Sequence, residues 1–229
     1  MKQSAAFTPT VIFDLDGTLI DTAPDLTHAL NHVLASIDRP SVTMDQVRDM
    51  VGHGAKAMIR AGTAATGGEI ICPETLQKLF ETFLSYYATN IYVESRLFPN
   101  TLSTLKALES ENIPMGVCTN KTEQLSRHLL QSSRLSGFFK AVLGGDSLNV
   151  KKPHPKHLLE TIKQTSGPTK NAVMVGDSKT DFDAARAAEI PIILVDFGYS
   201  DISVHTFGAD DVISDFADLP SSIAGVLGI

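Results

Sequence analysis

Residues 11–22 read VIFDLDGTLIDT. Val11, Ile12 and Phe13 form an apolar run with no polar interruption, as a strand buried on both faces requires. Asp14, Asp16, Gly17 and Thr18 follow at once, and Asp21 comes shortly after. Two carboxylates one residue apart at the tip of a buried strand repel each other. Whatever balances them bears on the chemistry of the chain.

Four further runs resemble this one: IPMGVCTN from Ile113, FKAVLGGD from Phe139, NAVMVGDS from Asn171 and PIILVDFG from Pro191. Each is short, rich in Val and Ile, and ends in polar or glycine-containing sequence, which predicts central parallel strands covered by helices. Helical patterns separate them. Leu102, Leu105 and Leu108 are predicted to share one face, as are Leu158, Leu159 and Ile162, and Phe182, Ala185 and Ala188. Alternation of this kind predicts an α/β fold with a doubly wound, Rossmann-like parallel sheet.

One interval breaks the rhythm. From Thr22 to about Ser95 only helical patterns occur, including the stripe Leu26, Ala29, Leu30, Val33, Leu34 and Ile37, which begins with Pro24 in its first turn. A second stripe runs through Leu76, Leu79, Phe80, Phe83, Leu84 and Tyr87, and the glycine-punctuated VGHGAKAMIRAG lies between the two. A stretch this long exceeds any ordinary crossover. The expected organisation is a discontinuous α/β core of residues 1–21 and 96–229, with a helical cap inserted at 22–95.

The 229 residues are 43% hydrophobic, enough for one large domain or one domain with an insert. A net charge of −7 argues against nucleic acid or an anionic membrane as a partner. The opening MKQSAAFTPT lacks the apolar stretch of a signal peptide, and no run reaches the roughly 18 apolar residues of a membrane span. Cys72 and Cys118 sit in unrelated contexts, which suits a reducing compartment. A cytoplasmic monomer or small homo-oligomer is expected.

Parallel strands share one carboxyl-terminal edge, where ligands bind. That edge collects Asp14 and Asp16, then Thr119 and Asn120, Lys151 and Lys152, and finally Gly176, Asp177 and Ser178, with Asp181 four residues beyond Asp177. Carboxylates converging there need a counter-charge, and a hard divalent cation such as Mg2+ matches oxygen ligands while recruiting a substrate phosphate. Asp14 and Asp177 can each offer a carboxylate oxygen. Gly17 permits a sharp turn, so that Asp16 can offer its backbone carbonyl while its side chain aims elsewhere. A calcium loop of the EF-hand type is excluded, because its sixth position, counted from Asp14, is Leu19 rather than glycine.

DLDGTLID, TN after a strand, KKPHP and VGDSKTDFDAA, in that order, resemble the four motifs of the haloacid dehalogenase superfamily, in the branch of Mg2+-dependent phosphatases with a helical cap. The resemblance covers nearly the whole chain. It implies that Asp14 is a nucleophile forming an aspartyl-phosphate. Asp16 would protonate the leaving alkoxide and then activate water. Thr119 and the backbone amides near Asn120 and Gly17 would hold phosphate oxygens, Lys152 would offset their charge, and Asp177 would complete the metal site. Asp181 would orient a metal-bound water or Lys152. The dehalogenase and phosphonatase branches lack the second acid that Asp16 supplies; a phosphomutase keeps both acids and stays open, as does a non-enzymatic phosphate- or metal-responsive module.

For substrate, VGHGAKAMIRA, TNK, KPHP and VDFGYSD look most like phosphoglycolate phosphatases, with other small sugar or amino-sugar phosphates as alternatives. The loop from Gly52 through Gly54 to Lys56 is expected to face the pocket, where Lys56 or Arg60 would meet a substrate carboxylate. Glu189 stands where the resemblance leads one to expect a helix-ending glycine, so a different helix end is expected there. His28, His32, His128, His157 and His205 read as surface residues. His53 and His154 lie near the site without an assigned catalytic role, and Cys118 reads as buried packing.

Overall fold

The computed structural model describes residues 8–68, 72–165 and 171–229. The reading of the polar opening segment therefore lies partly outside the described residues. A six-stranded sheet is built from β1 (Thr10–Phe13), β4 (Met115–Cys118), β5 (Phe139–Leu143), β6 (Ala172–Gly176), β7 (Ile192–Val195) and β8 (Asp211–Ile213). Its order is β5-β4-β1-β6-β7-β8 and every pairing is parallel. The five apolar runs are thus five of its strands, with β1 at the centre. The sixth, β8, was not among them; it pairs only with β7 and has a single fully buried residue, Ile213.

Alternation explains why both faces of the central strands are apolar. Val11 and Phe13 join one core cluster and Ile12 joins the other; Val173 and Val175 part from Ala172 and Met174 in the same way. Helices α7 (Pro155–Thr165) and α8 (Lys179–Ala187) cover the face holding Ile12. The opposite face is covered by α5 (Thr101–Ser110), α6 (Glu123–Ser132) and α9 (Leu219–Leu227). Each fully buried aliphatic or aromatic side chain contributes roughly 1.5–3 kcal/mol, which holds the strand tips in register.

A small ribbon stands where the chain passes from the sheet into the long insert and back. Its strands β2 (Ile20–Asp21) and β3 (Arg96–Leu97) are antiparallel and flank the whole interval from 22 to 95. Among the described residues that interval holds helices and no strand: α1 (Ala23–Ala35), α2 (Met44–Arg48), α3 (Ala55–Ala65) and α4 (Pro73–Thr89). The α1 stripe is buried as its period requires, with Ile37 at its margin. The short α2, not read from the sequence, starts at a reciprocal cap between Thr43 and Gln46.

Three local expectations are corrected. Leu102 is exposed, because the buried stripe of α5 is Thr101, Thr104, Leu105 and Leu108; the series 102, 105, 108 drifts off a 3.6-residue face. His157 is fully buried on the same face of α7 as Leu158, Thr161 and Ile162. Burial and the nearby Lys152 push its imidazole down to a pKa of about 4, which keeps it neutral. Glu189 adopts φ 57°, the conformation a glycine would take. The Glu189 amide donates to the Arg186 carbonyl (3.2 Å) and the Ile190 amide to that of Ala185 (2.9 Å), so the helix ends as it would with a glycine, and not in the different way expected of Glu189.

Candidate active site

Asp14 continues the β1 ladder by one bond, its amide donating to the Val175 carbonyl at 2.9 Å, and so stands at the sheet edge beside the end of β6. The Thr119 amide extends β4 in the same way, donating to Leu143 at 3.1 Å. Register therefore brings Asp14, Thr119 and Asp177 to one edge.

Oxygens of Asp14, Asp177 and Asp181 all lie within 4.8 Å of one another, and all three residues are buried. Lys152, itself buried, answers them: its Nζ is 2.9 Å from Asp14 Oδ1 and 2.5 Å from Asp181 Oδ1. Burial opposes that ammonium, yet the two carboxylates outweigh it and hold the lysine above its ordinary range. Asp181 Oδ2 accepts from the Ser178 hydroxyl (2.6 Å) and from the Ser178 and Asp177 amides (3.1 and 3.3 Å). Both of its oxygens are engaged, so the capping box that starts α8 also aims Lys152.

Asp177 is held by two donors, the Thr18 hydroxyl at 2.7 Å and the Tyr199 amide at 2.9 Å. Gly17 makes this approach feasible. Its φ is +83°, and a Cβ there would fall 2.4 Å from Asp177 Oδ2 and 2.8 Å from the Tyr199 ring. The Gly17 amide itself donates to the Ile20 carbonyl at 3.0 Å, so its expected place among phosphate donors is already filled by the turn.

One lysine against three acids leaves the site short of positive charge. Burial pushes Asp14 and Asp177 above the usual carboxylate range, and the neighbouring acids push the same way. Asp14 Oδ1 is buried with no donor aligned to it as a hydrogen bond, although Lys152 stands at ion-pair distance. A surplus of buried carboxylate oxygen, one of them lacking a hydrogen bond, is the donor set a hard divalent cation takes. The residues fit such an ion.

Asp16 belongs to a different set of contacts. Its side chain leaves the acidic cluster and accepts from Lys121 Nζ at 2.9 and 3.1 Å, and from the Thr22 hydroxyl at 2.8 Å. Lys121 also donates to the Tyr87 phenol at 3.0 Å. Asp14, Asp16, Thr119 and Lys121 line a cavity of about 420 Å³ whose remaining wall includes Met58 of α3 and Phe83 and Tyr87 of α4. Asn120 ties the wall down: its side-chain amide donates to the Gly52 carbonyl (2.9 Å) and to the Lys152 carbonyl (3.0 Å). Lys151 Nζ donates to the His53 carbonyl at 2.8 Å.

The loop from Gly52 to Lys56 thus does meet the pocket, with Gly52, Gly54 and Lys56 in its lining. Lys56 is exposed, with its ammonium 2.8 Å from Gln77 Oε1 and over the Phe80 ring; Arg60 is exposed as well. His154 Nδ1 accepts from the Lys156 amide at 3.2 Å and shapes the start of α7. Cys118 is buried, and burial raises its thiol to about 12. Thr18, Lys121, Tyr87 and Tyr199 were not singled out as site residues from the sequence. Thr18 lies within the DLDGT run, and Lys121 directly follows Thr119 and Asn120, which are the only local signals for either.

Residues 11–195 match the family model described as "Haloacid dehalogenase-like hydrolase". The chain is 42% identical over 216 residues to a phosphoglycolate phosphatase of Mesorhizobium japonicum, covering 94% of this chain and 95% of that one. A phosphoglycolate phosphatase of Agrobacterium fabrum is 41% identical over 221 residues, with 96% and 94% covered. Among solved structures, a predicted phosphoglycolate phosphatase of Haemophilus somnus superposes with a TM-score of 0.87 at 28% identity, covering 95% of this chain and 98% of that one. The strand-tip acids, the buried lysine and these similarities agree: this chain belongs to the haloacid dehalogenase-like hydrolase family.

Proposed function

We propose that the chain is a Mg2+-dependent phosphatase acting through an aspartyl-phosphate, with 2-phosphoglycolate as substrate and glycolate and phosphate as products. The observation that carries the reading is the position of Asp14, which lines the cavity with Lys152 2.9 Å behind it and Asp177 and Asp181 around it. The named activity of the two relatives described above, both over 40% identical, supports the substrate.

An Asp14 carboxylate oxygen attacks phosphorus, and the bond from phosphorus to the substrate's bridging oxygen breaks. Asp16 gives its proton to the departing alkoxide. It then takes one from the water that attacks the aspartyl-phosphate, which releases phosphate and restores Asp14. Lys152 offsets the charge of a carboxylate meeting a phosphate, and the Thr119 hydroxyl holds a phosphate oxygen. Asp14 and Asp177, with the Asp16 backbone carbonyl, would hold Mg2+, whose bound charge further neutralises that approach.

In this reading residues 22–95 act as a cap over a core formed by 1–21 and 96–229, and closing it keeps water from the reacting groups. Among the described residues no helix is long and apolar enough to cross a membrane. In the same reading the enzyme is cytoplasmic, works as a monomer or small homo-oligomer on small metabolites, and its net charge of −7 disfavours nucleic acid or an anionic membrane as a partner.

Phosphate release measured across phosphorylated acids, sugars and nucleotides, with and without Mg2+, tests this. The expected result is the highest kcat/KM on 2-phosphoglycolate, none after strict chelation, and none in Asp14→Asn. Turnover by Asp14→Asn, or in the chelated enzyme, would sink the mechanism. A better substrate without a carboxylate would overturn the substrate assignment alone, and an isomerised sugar phosphate with little free phosphate would make the enzyme a mutase.

A further inference from the structure

Lys121 is the most enclosed charge in the cavity outside the acidic cluster. Its side chain is 5% exposed, and its ammonium is held between both oxygens of Asp16 and the Tyr87 phenol, with the Tyr87 ring centroid 4.5 Å away. Its backbone is fixed as well: the Lys121 amide donates to Thr119 Oγ1 (3.3 Å) and its carbonyl accepts from the Gly145 amide (2.8 Å). The other two lysines lining the cavity, Lys56 and Lys151, are directed at Gln77 and at the His53 carbonyl.

This arrangement is balanced only while Asp16 stays where it is. In the phosphatase reading Asp16 must address the bridging oxygen of the substrate, and it cannot do so while both of its oxygens are engaged by Lys121. Once Asp16 turns, a buried ammonium loses its counter-charge, and a buried charge without a partner is strongly destabilising. A substrate can supply the missing charge. In a 2-phosphorylated carboxylate, the carboxylate sits one carbon from the bridging oxygen, on the side away from phosphorus. With phosphorus at Asp14 and the bridging oxygen at Asp16, that carboxylate falls toward the position Asp16 vacates.

We propose that Lys121 and Tyr87 form the subsite for the substrate's carboxylate, replacing Asp16 as the partner of Lys121 when Asp16 turns to the leaving group. The inference rests on that phosphatase reading and adds the residues that would recognise its leaving group, a short α-hydroxy acid. Burial together with the nearby Asp16 and Asp25 keeps the Tyr87 phenol protonated, so it can donate to an incoming carboxylate while accepting from Lys121. A neutral leaving group of equal length would leave the ammonium unpaired, which turns a single buried lysine into a determinant of specificity.

The test compares 2-phosphoglycolate with 2-hydroxyethyl phosphate, which replaces the carboxylate by a hydroxymethyl group, using the full-length enzyme with Mg2+. The wild type is expected to favour the carboxylated substrate by about 100-fold or more in kcat/KM. Lys121→Met should lower turnover of both and cut that preference at least about tenfold, mainly through KM on 2-phosphoglycolate. Lys121→Arg should keep most of the preference, and Tyr87→Phe should lose part of it. Lys121→Gln, which retains hydrogen bonds but no charge, repeats the comparison should the methionine variant fail to fold. An equal loss on both substrates in the uncharged variants would mean that Lys121 acts only by positioning Asp16, and the inference would fall while the phosphatase reading stood. A wild type that does not hydrolyse 2-phosphoglycolate would overturn the substrate reading, and this subsite with it.

Discussion

Thr18 donates its hydroxyl to Asp177 Oδ1 across 2.7 Å, joining the loop after β1 to the end of β6, 159 residues away in sequence. The hydroxyl is buried and serves one of the two carboxylates proposed to hold the metal. Replacing it by an isosteric methyl leaves that carboxylate oxygen without its donor. Thr18→Val is expected to raise the Mg2+ concentration for half-maximal activity by roughly 10-fold or more, as loss of a partner that orients a metal ligand does. A Mg2+ titration of phosphate release checks this, and an unchanged midpoint would make Thr18 a packing residue only.

The acidic cluster makes the metal-free protein respond to pH in a defined direction. The Asp14 and Asp177 carboxyls, ordinarily near 3.8, are raised in the fold by burial, and Asp181 adds to the shift of both. Above the ordinary value the unfolded chain has lost these protons while the folded one retains them, so stability falls as pH rises, up to the raised folded values. A bound cation selects the ionised forms and reverses this. Thermal unfolding in chelator should therefore give a lower Tm at pH 8 than at pH 5.5, and saturating Mg2+ should raise Tm more at pH 8. Equal Mg2+ effects at the two pH values would contradict the assignment of these acids to the ion.

Glu189 offers a prediction away from the site. A residue with a Cβ in the left-handed region costs roughly 1–2 kcal/mol relative to its usual conformations, and glycine escapes most of this while losing some chain entropy. Glu189 holds φ 57° at the end of α8. Glu189→Gly is expected to stabilise the fold by about 0.5–1 kcal/mol, read as a higher midpoint in urea with the same slope. A destabilised variant would show that the Glu189 side chain makes an interaction that outweighs its strain.

The sheet was legible because its central strands must be apolar on both faces, so that Val11–Ile12–Phe13 and its four counterparts stand out even in a short window. The edge strand β8 was not, since only Ile213 among its residues is fully buried. Asp14, Asp16, Thr119, Lys152 and Asp177 could be grouped because parallel strands put their ends on one edge. Lys121 was harder: its partners Asp16 and Tyr87 lie 105 and 34 residues away, and neither distance leaves a periodic signal. His157 misled for a different reason. Its polarity argues for the surface, but its position on the face of Leu158 and Ile162 decides its burial.

The two passages between core and insert are fastened by one carboxylate. Asp25, in the first turn of α1 and 1% exposed, accepts from the amides of Val93, Glu94 and Ser95 at 2.9 to 3.2 Å and from the Ser95 hydroxyl at 2.6 Å. The chain leaves the core beside β2 and returns into β3, so Asp25 holds departure and return together. Asp25→Ala would strip these donors of their acceptor where Ser95 is fully buried. Hydrogen bonds to a charged group are worth about 1.5–3 kcal/mol each and do not add fully, so a loss of about 3–5 kcal/mol is expected. Asp25→Asn, which keeps an acceptor oxygen but turns a donor toward the amides, should fall between that variant and the wild type. Urea unfolding followed by two probes would test this. In Asp25→Ala the probe on α4 should also lose its coincidence with a probe on the sheet, because the departing and returning passages are no longer tied to each other. A loss below about 1 kcal/mol, with coincident transitions, would show that the β2–β3 ribbon holds the two passages without Asp25.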